Sequence, residues 1–329
     1  MPLKEIVMID TLHIRNFQVF EDIEIKGLRR VNLIAGKNNT GKTVMLEALR
    51  ILAAKGDSTV VNNILKNRGY FRPSWDSSYQ ALFNKNIFTE FGDDAEVEIQ
   101  INSLLIERQK NYDKISFDYL VSDTDNNSFN NSKFNLKANY VADNPLDQAI
   151  YIPFSLNLFN LGELWENIVL TPLEDDVIEI LKSTVEPRLI RIDMTGGSIK
   201  VRLKGEASPV PMSSLGDGVQ RILMIAVALV SAKNKMLLID EFESGLHHSV
   251  QKRLWEMVFE YATKWDIQVF ATTHSEDTVR NFFYVASRPE YEKEATYLRL
   301  QFDRMGVHEA QVYDMERLGQ ALELHLETR

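Results

Sequence analysis

The chain has 329 residues and a formal net charge of −10, with 44% hydrophobic and 26% charged residues, which is the composition of an ordinary globular protein. The acidic balance excludes a surface that coats nucleic acid indiscriminately, and the lack of cysteine excludes disulfides, thiolate metal sites and cysteine nucleophiles. The longest apolar run, residues 222–230, is far shorter than the roughly 20 residues that span a bilayer, and the first residues lack a secretory signal, so we expect a cytosolic protein.

The first informative stretch is NLIAGKNNTGKTVMLEALRIL, in which an apolar run enters a polar loop and leaves as an amphipathic helix. Its spacing is that of a phosphate-binding loop, whose glycines let backbone N–H groups surround phosphates. Lys42 is predicted to neutralise the β and γ phosphates, and the Thr43 hydroxyl to ligate magnesium. The sequence therefore predicts a site for ATP and Mg²⁺. The predicted ATP-binding residues of this loop are Gly36, Asn38, Asn39, Thr40, Gly41, Lys42 and Thr43.

Residues 90–145 are predicted to form an antiparallel β subdomain. Within residues 95–142, the segments AEVEIQIN, KISFDYLV and KFNLKANYV alternate between apolar and polar residues. Clusters of Asn, Asp and Ser separate the segments, as in turns between antiparallel strands.

Residues 150–210 are predicted to be a helical and strand insertion. Residues 155–187 have a helical pattern in which Thr171 is a plausible N-cap and Pro172 occupies the first helical position. Glu174 completes a capping box with this N-cap.

A basic segment, residues 188–204, contains five basic residues and one acid. Lys200, Arg202 and Lys204 share one face of a predicted strand, and the residues between them are apolar. A solvated strand face is the favoured interpretation, and a nucleic-acid track is the alternative.

The stretch PMSSLGDGVQRILMIAVALV, residues 211–230, places serines and glycines before a strongly apolar helix. A glycine-rich helix start is a second anion site, and one chain hardly needs two for the same phosphate. We therefore expect it to contact the nucleotide of another subunit. A capped, buried helix is the alternative interpretation.

Two later apolar segments end in polar residues. In KMLLIDEFESGLHH, residues 235–248, a strand ends at Asp240 and Glu241, which we interpret as the metal ligand and the general base. In IQVFATTHS, residues 267–275, a strand ends near His274, which is predicted to donate to the γ phosphate. The catalytic residues predicted from these motifs are Glu241 and His274.

The order of these motifs resembles the ATP-binding-cassette (ABC) ATPases of the SMC, RecF and OLD kind. LHIRNFQVFEDIEI resembles their first strand and turn, and NLIAGKNNTGKTVMLEAL resembles their Walker A motif. SSLGDGVQR is similar to their signature, LLIDEFESGLH to their Walker B and D-loop, and ATTHS to their histidine switch. The resemblance covers residues 9–286 and is closest to compact AAA-type ATPases related to OLD proteins, a group that includes components of antiphage systems.

The resemblance implies an α/β P-loop ABC-ATPase fold with a mixed central sheet, an antiparallel β subdomain and a helical insertion, forming one domain over residues 1–329. The signature departs from the usual LSGGQ, because Leu215 replaces its first glycine and Asp217 its glutamine. Gln80 is the candidate for the Q-loop.

The resemblance also implies a shared site. Ser214 and Gly216 would contact the γ phosphate from the opposite protomer, and Ser244 and Gly245 would lie in the D-loop. A homodimer or higher homo-oligomer is therefore expected to form through the ATP sites.

The segment after His274 is too short for a further catalytic domain. OLD nucleases add a Toprim domain with clustered metal-binding acids after the histidine switch, whereas only residues 275–329 follow it here. No intrinsic nuclease activity is expected. The tail is predicted to form a strand or turn and a closing helix, whose apolar residues are Leu318, Ala321, Leu322 and Leu326.

The function implied by the resemblance is an Mg-ATP-hydrolysing switch that controls a separate effector protein in antiphage defence. One alternative is a DNA-binding repair or recombination ATPase of the RecF type. Another is a slow nucleotide-switched assembly scaffold, against which the presence of both Glu241 and His274 weighs. DNA binding remains open in these alternatives, and no membrane partner is expected.

Overall fold

The fold is described from a computed structural model. The residues that the structure describes are 8–54, 60, 63–64, 97–102, 113–119, 134–139, 149–154, 158–195, 198–216 and 218–324. Gln80, Asp217 and Leu326 lie outside them.

Strands and helices alternate along much of the described chain. The strands are β1 (Thr11–Phe17), β2 (Phe20–Lys26), β3 (Val31–Gly36), β4 (Val97–Asn102), β5 (Asp113–Tyr119), β6 (Phe134–Asn139), β7 (Ala149–Ile152), β8 (Leu189–Thr195), β9 (Ser198–Leu203), β10 (Val210–Pro211), β11 (Met236–Ile239), β12 (Gln268–Thr273), β13 (Ala295–Phe302) and β14 (His308–Tyr313). The helices are α1 (Lys42–Ala53), α2 (Leu158–Glu166), α3 (Pro172–Thr184), α4 (Val219–Ser231), α5 (His248–Lys264), α6 (Glu276–Ala286) and α7 (Met315–Glu323), with a 3₁₀ helix at Met212–Leu215.

A six-stranded mixed sheet forms the centre of the fold, in the order β14-β13-β3-β12-β11-β7. The pairs from β13 to β7 are parallel, and β14 is antiparallel to β13. Every residue of β3, β11 and β12 is buried, as expected for parallel strands covered on both faces. The predicted α/β fold with a mixed central sheet is confirmed.

Two hydrophobic clusters cover the two faces of this sheet. Leu33 and Ala35 of β3 point into the larger cluster, which contains almost all of α4. The intervening Ile34 points into the second cluster, with residues of α1, β1 and β2. This alternation fixes the register of β3 and so the position of the loop that follows it.

The second sheet is antiparallel, in the order β2-β1-β4-β5-β6. The antiparallel strands predicted within residues 95–142 are confirmed as β4, β5 and β6. The sequence did not predict that β4 also pairs with β1, which joins this segment to the N-terminal hairpin.

A third sheet, β10-β9-β8, precedes the 3₁₀ helix. Lys200 and Arg202 of β9 are exposed while Val201 and Leu203 are buried, so the predicted two-faced strand is confirmed. Lys204 follows β9 directly and is exposed as well.

The start of α3 differs in one detail from the prediction. Thr171 is the N-cap, and its hydroxyl accepts the N–H of Leu173. The N–H of Thr171 already donates to Ile168 O at 3.1 Å, so Glu174 accepts the N–H of Leu170 instead, at 2.8 Å. The predicted capping box was therefore wrong in its donor, because the preceding turn takes the N–H of Thr171.

The tail forms β14 and α7, and its predicted apolar residues Leu318, Ala321 and Leu322 are buried. Within the described residues, every helix is too short or too polar to cross a membrane.

Candidate active site

The loop between β3 and α1 has a backbone that requires glycine at both ends. Gly36 has φ 156°, and a Cβ there would lie 2.5 Å from Leu300 O. Gly41 has φ 93°, and a Cβ there would lie 2.5 Å from the ring of Phe20. These positions keep the loop compact enough for its N–H groups to face one ligand.

The Lys42 side chain lies over this loop. Its Nζ donates to Gly36 O at 2.7 Å and to Lys37 O at 2.8 Å. Burial lowers the pKa of Lys42, while the nearby carboxylates of Asp240 and Glu241 act in the opposite direction. The ammonium group is thus held at the mouth of the loop, close to acidic side chains.

The remaining predicted loop residues divide into two groups. Asn38 and Asn39 are exposed, and Asn39 has a left-handed backbone with φ 68°. Thr40 is buried, and its hydroxyl donates to Lys37 O at 2.9 Å. Thr40 therefore shapes the loop through this hydrogen bond.

Thr43 and Asp240 meet across the sheet. Thr43 Oγ1 lies 3.3 Å from Oδ1 and 3.2 Å from Oδ2 of Asp240. The buried Thr272 hydroxyl holds the carboxylate by donating to Oδ1 at 2.7 Å. A hydroxyl and a carboxylate are the oxygen ligands that Mg²⁺ prefers, so these side chains fit that ion.

The backbone of Glu241 is in the left-handed region, with φ 48°. Its N–H donates to Thr272 Oγ1 at 2.8 Å, and its carbonyl accepts from Arg221 at 2.9 Å. A left-handed conformation is unfavourable for a residue with a side chain and persists where surrounding contacts enforce it. These two hydrogen bonds are such contacts, and they leave the Glu241 carboxylate partly exposed.

His274 follows β12 and lies beside two carboxylates. Its Nδ1 is 3.2 Å from Glu243 Oε1 and 4.0 Å from Glu241 Oε1. Its backbone N–H also donates to Glu243 Oε1, at 3.0 Å. The structure thus brings the predicted pair Glu241 and His274 together and adds Glu243 between them.

Arg221 is fully buried behind the acidic strand end. Its guanidinium donates to Pro153 O at 2.7 Å, Asp240 O at 2.7 Å and Glu241 O at 2.9 Å. Burial lowers the pKa of Arg221 to about 10, although nearby carboxylates, Asp240 foremost, oppose this shift. Arg221 therefore ties α4 to the ends of β7 and β11.

A cleft of about 1130 Å³ opens from the phosphate loop. Besides loop residues, Asp240 and Glu241, it is lined by Arg50 and Tyr151, whose side chains stack with the guanidinium 4.2 Å from the ring centre. The Tyr151 hydroxyl is 3.5 Å from Asp240 Oδ2, and burial together with this carboxylate raises the pKa of Tyr151. The cleft is large enough for a nucleotide and has acidic, basic and aromatic walls.

The predicted signature residues lie apart from this cleft. Ser214 and Gly216 are exposed, and neither belongs to the described residues that line the cleft. The Ser214 hydroxyl donates to Pro211 O at 2.6 Å. The structure therefore does not bring the signature to the phosphate loop of the same chain.

The predicted D-loop contacts both the cleft wall and the signature helix. Ser244 Oγ donates to Phe154 O at 3.1 Å. Gly218, the N-cap of α4, is so close to Gly245 that a Cβ on Gly218 would lie 3.1 Å from Gly245 O. The D-loop thus lies directly between the acidic strand end and the start of α4.

Most of the chain, including the candidate site, matches a known protein family. Residues 31–280 match the family model described as "AAA domain, putative AbiEii toxin, Type IV TA system". The chain belongs to this AAA-domain family. Its phosphate loop, acidic strand end and histidine all fall within the matched residues, so the candidate site is part of the family's domain.

Among curated proteins, this AAA-domain chain is similar to one from Helicobacter pylori named "ATP/GTP phosphatase". The two are 24% identical over 321 residues, which cover 83% of this chain and 86% of that protein. Family and relative together support ATP hydrolysis.

Solved SMC head structures share the fold of this AAA-domain chain. An Smc head bound to the C-terminal domain of ScpA, from Pyrococcus furiosus, matches with a TM-score of 0.58 and 12% identity, covering 96% of this chain and 99% of that one. The SMC head domain from Thermotoga maritima matches with a TM-score of 0.51 and 13% identity, covering 93% and 98%. This AAA-domain protein is therefore a P-loop ATPase of the AAA/ABC kind.

Sequence reasoning missed several residues of this AAA-domain site. Arg221 carried a signal, because it is a charged residue directly before the apolar run of α4. Glu243 was visible as a third acid in the same motif. Tyr151 and Thr272 gave no signal of their own, because only the pairing of β7, β11 and β12 brings them to Asp240.

Proposed function

We propose that this chain hydrolyses ATP at the cleft between the phosphate loop and the ends of β11 and β12. One observation carries the proposal: the Thr43 hydroxyl lies against the Asp240 carboxylate, with Glu241 and His274 on the same sheet edge. This places a phosphate-binding loop, an oxygen ligand pair for a cation and a candidate base around one space. It is the arrangement that phosphoryl transfer to water requires.

In the proposed mechanism, the loop N–H groups and Lys42 bind the phosphates, and Thr43 and Asp240 hold Mg²⁺. The ion, when bound, offsets the charge on the β and γ phosphates. The oxygen of the attacking water bonds to the γ phosphorus while Glu241 accepts a proton from this water and the bond from the γ phosphorus to the bridging oxygen breaks, which yields ADP and phosphate. His274 donates to the γ phosphate.

We further propose that each ATP lies between two copies of the chain. Ser214 and Gly216 are exposed, and α4 begins at Gly218, an N-cap residue without a side chain to occupy the helix N–H groups. A second set of donors is thus available to a phosphate outside this chain. The two sets would meet in a head-to-tail dimer that closes on ATP and opens after hydrolysis.

The switch would act on a separate effector. The domain resembles an Smc head whose solved structure includes a domain of a different protein, ScpA, and the family's description refers to a toxin system. These likenesses support a defence ATPase that controls a partner protein, and the order of its sequence motifs is the reason for relating it to the OLD group. Because the D-loop contacts α4, a change in the cleft on ATP binding would be transmitted to α4 and from there to other surfaces.

A mixing experiment tests the shared site. Ser214→Arg should crowd the γ phosphate on the partner's nucleotide, and Lys42→Ala should remove phosphate binding in its own chain. A mixed dimer contains one site with both changes and one with neither. We expect each variant alone to be inactive and the mixture to recover part of the wild-type ATPase activity.

Two results would contradict the shared site. One is a mixture that forms mixed dimers, shown by differently tagged copies, yet stays inactive. The other is wild-type turnover by a monomer, independent of protein concentration. Leu324→Arg, an equally bulky change at an exposed position outside the motifs, serves as the control and should retain most activity.

We also propose that these 329 residues do not cleave DNA. Among the residues that the structure describes, no group of three or more His, Asp or Glu side chains is placed to hold a metal ion. The purified chain with Mg²⁺ or Mn²⁺ should leave plasmid and linear DNA intact. Metal-dependent cleavage that disappears in a site variant of this chain would contradict the proposal.

DNA binding is a second candidate function, and the basic face of β8 and β9 favours it. Arg191 lies opposite Arg202, and Lys200 is exposed on the same side, opposite Asp193 of β8 and Pro211 at the start of the signature segment. Such a cluster attracts phosphate backbones even on a protein of net charge −10.

The test of DNA binding compares two charge reversals. Lys200→Glu with Arg202→Glu should abolish binding to duplex DNA and its salt dependence, whereas Lys233→Glu, on the exposed end of α4, should not. Equal binding by both variants would exclude this face as the contact.

A further inference from the structure

Glu243 contacts His274 at two atoms. Its Oε1 accepts the backbone N–H of His274 at 3.0 Å and lies 3.2 Å from the ring Nδ1. The Glu243 side chain is only 10% exposed, against 49% for His274. The histidine is thus held from its buried side by a carboxylate, while the rest of the ring faces the open side of the site.

This contact determines which ring nitrogen carries a proton. An ionised carboxylate only accepts hydrogen bonds, so Nδ1 of His274 must be protonated to lie favourably against Glu243. A neutral ring in that form has a lone pair on Nε2 and can only accept there. To donate to a phosphate through Nε2 while contacting Glu243, the ring must carry both protons and therefore a positive charge.

Glu241 is not placed to perform the same task. Its Oε1 is 4.0 Å from Nδ1, beyond hydrogen-bond distance, and its side chain is 37% exposed. Glu241 thus remains free to contact water, whereas Glu243 is committed to the ring. Glu241 and Glu243 therefore differ both in exposure and in distance to His274.

The second carboxylate oxygen of Glu243 indicates that this residue does more than stabilise the fold. Oε2 is buried and has no hydrogen-bond partner among the residues that the structure describes. A buried acceptor without a partner destabilises the folded chain. An apolar residue would avoid that cost, so a carboxylate at this position has a use beyond accepting one backbone N–H.

We propose that Glu243 is a positioning residue for ATP hydrolysis, which holds the His274 ring with Nδ1 protonated and Nε2 directed at the terminal phosphate. This inference rests on the role proposed above for His274. The carboxylate balances the positive charge of the ring, and the backbone contact fixes its distance. Loss of Glu243 therefore leaves ATP binding intact and removes the oriented donor.

The experiment compares Glu243→Ala and Glu243→Gln with the wild type. For Glu243→Ala we expect kcat to fall about 10- to 100-fold, with KM for ATP within about threefold, because the lost interaction forms only with the reacting phosphate. Glutamine still accepts the His274 N–H and should restore the unfolding midpoint, but it lacks the charge and should stay at least about tenfold slow. Glu294→Gln, which changes an acid paired with Arg30 elsewhere, is the matched control and should keep wild-type kcat.

The ring state of His274 gives a readout that a purely structural role would not move. Protein labelled with ¹⁵N-histidine and bound to a non-hydrolysable ATP analogue should show both His274 nitrogens protonated, with the signals assigned through His274→Asn. In Glu243→Gln at the same pH, one nitrogen should shift to the unprotonated value. Glu243→Gln keeps the size of the side chain, so this variant alone tests the inference if Glu243→Ala folds poorly.

The outcomes separate this inference from the function on which it rests. If His274→Asn keeps wild-type turnover, the proposed role of His274 fails. If His274→Asn is slow but Glu243→Gln has wild-type kcat and unchanged ¹⁵N signals, the inference about Glu243 is wrong. Loss of kcat in both variants, with ATP affinity retained and the ring signals altered, supports it.

Discussion

The Thr43 hydroxyl lies 3.2 Å from a carboxylate oxygen of Asp240, a residue 197 positions later in the sequence. This contact joins the start of α1 to the end of β11, with β12 lying between β3 and β11 in the sheet. Thr272 of β12 fills the space between them and fixes the carboxylate. The proposed ion site is therefore formed by two side chains that α1 and the end of β11 hold in place.

Removing the Asp240 charge should weaken the use of magnesium. For Asp240→Asn we expect turnover to fall about 100-fold or more, since one of the two side chains proposed to hold Mg²⁺ loses its charge. A higher Mg²⁺ concentration should be needed for half-maximal rate. ATPase assays over a range of Mg²⁺ concentrations measure both, with Thr43→Ser as a control that keeps the hydroxyl. An unchanged Mg²⁺ dependence in Asp240→Asn would argue against the assignment.

Substitutions of Glu241 and Lys42 should distinguish a loss of ATP hydrolysis from a loss of ATP binding. Glu241→Gln should lower turnover by about 100-fold or more and leave ATP affinity near wild type, because only the proton acceptor is lost. The dimer should accumulate in its closed form with ATP. Lys42→Ala should instead lose ATP affinity. Calorimetry or fluorescent-nucleotide binding, together with turnover, distinguishes these results. Wild-type turnover in Glu241→Gln would remove it as the base.

The phosphate loop should not tolerate a methyl group at Gly41. Gly41→Ala adds a Cβ at a φ of 93° and 2.5 Å from the Phe20 ring, so the loop must shift. We expect weaker ATP binding and a lower unfolding midpoint. Gly162→Ala is the matched control, because a Cβ there meets nothing within 4 Å and lies in helix α2. That variant should be more stable by about 0.5–1 kcal/mol and bind ATP normally.

Local sequence patterns were sufficient to predict the strands, the helix and the loop that carry the motifs. The phosphate loop was predictable because its spacing, its preceding strand and its helix are all contiguous in sequence. The location of Thr43, Asp240 and His274 at one edge of the sheet was predictable, because the carboxyl ends of parallel strands share that edge.

Other parts of the site depend on packing that no local pattern encodes. Arg221 reaches Pro153 O, 68 positions earlier, because α4 packs against the ends of β7 and β11. Tyr151 reaches Asp240 because β7 pairs with β11. The capping prediction at Glu174 failed because the Thr171 N–H donates to Ile168 O, and Glu174 accepts the N–H of Leu170 instead. The roles of Ser214 and Gly216 stay predictions, because they depend on a second copy.

Thr272 connects the proposed ligand and the proposed base, and a single methyl replacement tests that connection. Its hydroxyl donates to Asp240 at 2.7 Å and accepts from the Glu241 N–H at 2.8 Å. Thr272→Val keeps the shape but leaves a carboxylate oxygen and a strained peptide without their partner. We expect a loss of about 1–3 kcal/mol in the free energy of unfolding.

Turnover distinguishes this effect from ordinary destabilisation. Thr296→Val is the matched control, because the Thr296 hydroxyl is also nearly buried and donates to Gly27 O at 2.7 Å, away from the acidic strand end. Both variants should lower the midpoint in urea, but only Thr272→Val should lower kcat, by about tenfold or more, since a small misplacement of the reacting groups slows chemistry. If kcat falls equally in both variants, the loss reflects stability alone, and Thr272 does not organise the site.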